Sequence, residues 1–146
     1  MRHLFSVCSL NGPNIPTLDD NNSIIKINSF NARSLMNKLV EFGAFISTYD
    51  PDCVAITETW LNDIIPSSLF IDTNYYSVFR KDRCSRGGGV CLLLKNSVRH
   101  SISQVTIPSE FTSLEIVAVD LSDGASLPYR IVVAYRPPNY SSSDNV

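Results

Sequence analysis

The sequence predicts an α/β domain whose mixed sheet is opened by a βαβ unit. Three observations carry this prediction. The run Ile24-Ile25-Lys26-Ile27-Asn28-Ser29-Phe30 is β-branched, mostly apolar and of strand length. Leu35, Leu39, Phe42, Phe45, Ile46 and Tyr49 then recur at spacings of 4, 3, 3, 1 and 3, which lays one apolar stripe along a helix. The continuous apolar run Cys53-Val54-Ala55-Ile56-Thr57 follows, as suits a parallel strand buried on both faces.

The 146 residues hold one domain core, and a composition 44% hydrophobic and 18% charged excludes disorder and coiled coil as descriptions of the chain. No apolar run reaches the roughly 18 to 20 residues of a bilayer-spanning helix, so no membrane partner is expected. A formal net charge of −2 gives no global positive field, so a polyanionic partner must be argued from local charge. Cys8, Cys53, Cys84 and Cys91 show no Cys-x-x-Cys spacing, which argues against a structural zinc site.

Residues 1–22 read as a flexible leader, because the stretch from Asn11 onward is rich in Asn, Pro and Asp without a period. Order is expected from Ser23. Ser34 is available as the helix N-cap and Asp50-Pro51 as its terminator. Residues 61–76 form a long connection with turn signals at Asn62-Asp63, Pro66-Ser67-Ser68 and Asp72-Thr73-Asn74. Strands then fit Tyr76-Ser77-Val78-Phe79, Val90-Cys91-Leu92-Leu93-Leu94 and residues 101–107, 113–121 and 129–135, with the later part of the sheet antiparallel. Residues 141–146 are a polar tail.

The βαβ geometry also places chemistry. A right-handed crossover brings the carboxyl ends of both strands to one sheet edge, so Asn31 and Glu58 converge although 27 positions (58 minus 31) separate them. The plainer alternative is an ordinary turn Asn and a solvated Glu. The loop Arg80-Lys81-Asp82-Arg83-Cys84-Ser85-Arg86 carries four basic groups and one acid, which reads as a phosphate-contacting loop or as a solvated hairpin. Gly87-Gly88-Gly89 permits a close backbone approach or a tight turn, without the spacing of a P-loop. The strand Ile131-Val132-Val133-Ala134 delivers Tyr135-Arg136-Pro137-Pro138-Asn139, so the Tyr135 phenol is expected to be presented rather than buried.

Four segments in order resemble the endonuclease/exonuclease/phosphatase superfamily. They are Phe30-Asn31-Ala32-Arg33-Ser34-Leu35, Ala55-Ile56-Thr57-Glu58-Thr59-Trp60-Leu61, Phe79-Arg80-Lys81-Asp82-Arg83 with Gly87-Gly88-Gly89-Val90, and Ala134-Tyr135-Arg136-Pro137-Pro138-Asn139. More narrowly they are similar to the apurinic-type endonuclease domain of non-LTR (LINE-type) retrotransposon polyproteins, over residues 23–139. The resemblance implies the N-terminal part of a four-layer α-β-β-α sandwich, here over residues 23–140. It implies a metal-dependent DNA endonuclease, with Glu58 as ligand to Mg²⁺ (or Mn²⁺) and Asn31 and Tyr135 as catalytic residues. Arg80, Lys81, Arg83, Arg86, Arg136 and Asn139 would contact nucleic acid, Asn139 displaced by one extra proline. DNA and a downstream reverse transcriptase domain are the implied partners. The family's C-terminal Asp-x-Asn and Ser-Asp-His segments do not follow Tyr135, and His3 and His100 lie in the wrong places to replace the histidine, so this chain is expected to be a truncated and inactive form. A non-catalytic nucleic-acid-binding remnant and a phosphoinositide or sphingomyelin phosphodiesterase remain as alternatives. Leu92, Leu94, Ile116 and Val132 are expected on a sheet face that needs a partner surface.

Overall fold

The computed structural model describes residues 3–9, by backbone alone, and 25–83, 87–98, 101–111, 113–122 and 129–136. Its centre is the expected βαβ unit. Strand β2 (Ile27–Asn31) runs parallel to β3 (Cys53–Thr57), with helix α1 (Leu39–Tyr49) between them in sequence and Asn31 beside Thr57 in register. All five residues of β3 are buried, as its uninterrupted apolar character requires. Strand β5 (Val90–Lys95) lies antiparallel against the other side of β3, and β4 (Tyr76–Lys81) pairs with β5 to give the order β2-β3-β5-β4.

The later strands form a second sheet. Its order is β1-β8-β7-β6, built from β1 (His3–Ser9), β8 (Tyr129–Tyr135), β7 (Glu115–Ser122) and β6 (Ser101–Gln104), antiparallel throughout. Alternation along these strands sends Val117, Val119, Leu121, Ile131, Val133 and Tyr135 inward, where they pack with Cys53, Ala55, Val90, Leu92 and Leu94 of the first sheet. The other face of the first sheet, through Val54, Ile56, Cys91 and Leu93, packs under Leu35 and Phe42 of the helical layer and under Phe70 and Ile71. The fold is thus an α/β sandwich of a helical layer and two sheets.

Three expectations change. His3–Ser9, assigned to a flexible leader, forms β1 and pairs with β8 in unbroken register from His3 opposite Tyr135 to Ser9 opposite Tyr129. Its apolar residues Leu4, Phe5, Val7 and Cys8 make a run of strand length, which the positive tip and the Asn- and Pro-rich segment after it had masked. Leu92 and Leu94 need no outside partner, because the second sheet covers them completely; Ile116 and Val132 lie on the opposite face of that sheet. Ser34 does not cap the helix. Its N–H donates to the Glu58 carbonyl oxygen at 3.0 Å, which holds it at the strand end with φ +80°, and a 3-10 turn over Met36–Lys38 leads into α1 instead. The expected terminator does act: Asp50 takes the left-handed conformation and its N–H donates to the Ile46 oxygen at 3.0 Å. No described helix is long and apolar enough to cross a membrane.

Candidate active site

The site forms where the carboxyl ends of β2, β3 and β8 meet. After β2 the chain folds onto the end of β3 through backbone bonds from Ala32 N–H to Thr57 O (2.9 Å), Ser34 N–H to Glu58 O (3.0 Å) and Leu35 N–H to Thr59 O (2.9 Å). On the other side, Thr59 N–H donates to Gly89 O (3.2 Å) and Trp60 N–H to Gly88 O (2.9 Å). Residues 57–60 are therefore clamped between two loops. That clamp sustains left-handed backbone at Glu58 (φ +51°) and at the bulky Trp60 (φ +54°), conformations that cost about 1 to 3 kcal/mol each when nothing enforces them.

The two sheets supply opposite halves of the central contact. Glu58 is only 6% exposed, and the Tyr135 hydroxyl, from the second sheet, donates to its Oε1 at 2.7 Å. Burial and the Glu58 carboxylate push the Tyr135 phenol up to about 12, so Tyr135 is the donor at neutral pH. Tyr135 itself is 4% exposed, which corrects the expectation that it would be presented at a strand tip: its position on β8 faces the opposing sheet. Asn31 stands at the neighbouring end of β2, opposite Thr57 in register, where its Oδ1 accepts the Arg33 N–H at 3.0 Å in an Asx turn.

A further carboxylate lies in the same region. Glu115, at the start of β7 and opposite Tyr135 in register, is 5% exposed; its Oε2 accepts the Gly89 N–H at 2.7 Å and its Oε1 pairs with Arg83 Nε at 3.3 Å. Burial raises its carboxyl above the ordinary value and the Glu58 charge adds to the rise, against the opposing pull of the Gly89 N–H, Arg83 and Lys81. Sequence reading missed Glu115. The signal was present, because Glu115 shares its strand parity with Val117, Val119 and Leu121, which places an acid on an inward face.

In the basic loop, the described residues Arg80, Lys81 and Arg83 have partners within the protein. Arg80 donates through Nε to Asp82, through Nη1 to Ile65 O and Ser67 Oγ, and through Nη2 to Asn62 O and Asp82, so its guanidinium anchors the long connection internally. Lys81 Nζ donates to Leu114 O at 2.8 Å. Arg83 faces Glu115, and Arg136 lies on the exposed surface after β8. Arg86 and Asn139 fall outside the described residues.

The donor set bears on a metal. A buried carboxylate and an amide at adjacent strand ends are hard oxygen ligands, which fit a small divalent cation completed by water and phosphate oxygens. Among the described residues no cluster of three or more His, Cys, Asp or Glu side chains stands ready to enclose an ion by itself.

With this geometry established, comparison places the chain in a family. The model of the endonuclease/exonuclease/phosphatase family matches residues 27–145, and the chain belongs to that family. Members generally depend on a divalent metal ion. No relative was found among curated proteins. Among solved structures, the AP endonuclease of Leishmania major is similar with a TM-score of 0.60 at 21% identity, over 85% of this chain and 45% of that one. A humanised D. rerio TDP2 carrying 14 mutations aligns with a TM-score of 0.47 at 19% identity, over 70% of this chain and 44% of that one. The chain spans under half the length of either protein.

Proposed function

We propose that this chain carries the metal-carboxylate part of a DNA endonuclease site, of the kind found at the front of non-LTR retrotransposon polyproteins. The observation that carries the reading is the 2.7 Å hydrogen bond joining Tyr135 of one sheet to Glu58 of the other, with Asn31 at the neighbouring strand end. Glu58 holds Mg²⁺, or Mn²⁺ in its place. A divalent ion held there supplies charge neutralisation at a phosphodiester oxygen. Tyr135 fixes the orientation of the Glu58 carboxylate, and the Asn31 amide nitrogen donates to a phosphate oxygen. Arg83, Arg86, Arg136 and Asn139 are the proposed contacts to the DNA backbone; the Arg80 guanidinium and the Lys81 ammonium hold internal carbonyls instead. The retrotransposon origin, and a reverse transcriptase as partner, rest on the Thr59-Trp60-Leu61 and Tyr135-Arg136-Pro137-Pro138 neighbourhoods of the sequence.

After Tyr135 the 146 residues contain neither an Asp-x-Asn nor a Ser-Asp-His segment, and a general base of the kind such segments supply is worth about 10²- to 10⁴-fold in rate. The polypeptide alone is therefore proposed to bind a divalent ion without nicking DNA. A supercoiled-plasmid assay in Mg²⁺ tests this, comparing the 146-residue chain, a longer product of the same reading frame, and that longer product with Glu58→Gln. Nicking by the longer product and its loss in Glu58→Gln are expected. Undiminished nicking by the Gln variant would remove Glu58 from the mechanism.

A further inference from the structure

Glu115 is buried at the edge of the site, yet the proposed chemistry gives it no task. Its contacts supply one. Its Oε2 takes the Gly89 N–H at 2.7 Å, and the same two glycine carbonyls that accept the Thr59 and Trp60 N–H groups belong to this turn. Gly87, Gly88 and Gly89 all have positive φ, at +85°, +72° and +84°. A Cβ on Gly88 would collide with the Glu115 carboxylate, and one on Gly89 would come within 2.5 Å of Thr59 Oγ1. The glycines thus serve close approach on two sides at once, to Glu115 and to the segment bearing Glu58.

We infer that Glu115 is a positioning residue: its carboxylate fixes the Gly88–Gly89 turn, and the turn in turn holds the segment from Glu58 to Trp60, with its left-handed backbone at Glu58 and Trp60. This rests on the reading of Glu58 as the metal ligand, and adds a residue that the reading did not contain. The acceptor oxygen matters more than the charge. The Gly89 hydrogen bond is short and dry, whereas Arg83 stands 3.3 Å away and its side chain is 35% exposed, where solvent screens the pair. Ranking the two contacts this way separates a positioning role from a ligand role, because glutamine keeps the acceptor and loses the charge.

The test follows Mn²⁺ binding to the full 146-residue chain by the electron paramagnetic resonance of free Mn²⁺, together with amide hydrogen exchange resolved at Thr59, Trp60 and Gly89. Glu115→Ala is expected to weaken Mn²⁺ binding about tenfold and to speed exchange at the three amides about tenfold, with β5 amides as slow as in the wild type. Glu115→Gln is expected to stay within about threefold of wild type in both measurements. Unchanged exchange at the three amides in Glu115→Ala overturns the inference. So does a Glu115→Gln variant that loses Mn²⁺ as completely as Glu58→Gln, which would make Glu115 a ligand. Should Glu115→Ala open throughout the protein, Gly88→Ala decides: displacing the carboxylate from the other side, it must speed the same amides, and normal exchange there ends the proposal. If Glu58→Gln binds Mn²⁺ like the wild type while Glu115→Ala still frees the three amides, the metal reading fails and the positioning of the turn stands.

Discussion

The two sheets are built to different standards of enclosure. The β2-β3-β5-β4 sheet is covered on both faces, by the helical layer on one side and by the second sheet on the other, and its central strands β3 and β5 are almost wholly apolar. In the β1-β8-β7-β6 sheet the inward-facing Val117, Val119, Leu121, Ile131 and Val133 are buried, whereas on the outward face Ile116, Val132 and Ala134 are part-buried and share the surface with the Asp120–Arg130 pair. A strand that reads as unbroken hydrophobe must be enclosed twice, and one that alternates need be enclosed only once. The candidate site straddles this divide, taking Glu58 from the first sheet and Tyr135 and Glu115 from the second.

The contrast can be broken most sharply with thiols. Cys53 faces the second sheet and Cys91 the helical layer, and burial pushes both up to about 12. Native alkylation near pH 8, read residue by residue by mass spectrometry, should be on the order of 10³-fold slower at both than at an exposed thiol. Fast labelling at either would show that its face is open. Next in size is core truncation. Leu92→Ala, between the sheets, should cost about 2 to 5 kcal/mol in a denaturant melt, against less than about 1 kcal/mol for Val132→Ala on the outward face. Equal losses would erase the distinction between the faces.

The junction of the sheets should give an intermediate effect. Tyr135→Phe removes the donor to Glu58 and should lower stability by about 1.5 to 3 kcal/mol, measured by the same melt. A neutral result would mean that Glu58 is equally well served without it. The smallest effect belongs to the outward ion pair. The Arg130 guanidinium holds Asp120 below the usual carboxylate range, with Arg130 Nε 2.7 Å from Asp120 Oδ1. Because the folded value is the lower one, its stabilisation is present above the ordinary value near pH 4 and disappears as pH falls through the depressed value. Solvent screening limits it to less than about 1 kcal/mol, so Asp120→Asn should barely shift the melt at neutral pH and flatten its acid limb.

Local periodicity made the βαβ unit legible, and with it the adjacent strand ends that carry Asn31 and Glu58, because parallel pairing leaves few ways to arrange two strands and a helix. The facing of Tyr135 was not legible from its strand alone, since which side of β8 is inward depends on the opposing sheet, whose Glu58 lies 77 positions away from Tyr135 in sequence. The internal partners of Arg80 were hidden for a similar reason. Arg80 spends its donors on Asp82 and on carbonyls at Asn62 and Ile65, partners fixed by how the long connection folds back, which no window around Arg80 contains. Glu115 was overlooked although its parity betrayed it, because a single acid in an apolar strand looks like an ordinary edge residue until its neighbours are counted in twos.

The pairing of β1 with β8 bears on how the molecule is made. Strand β8 lies between β1 and β7, and His3 waits opposite Tyr135. During synthesis on the ribosome the first strand emerges early but has no neighbour to pair with until β8 has been translated. The phenol that completes the Glu58 contact arrives on that same strand, so the βαβ unit is synthesised before the residue that finishes its site.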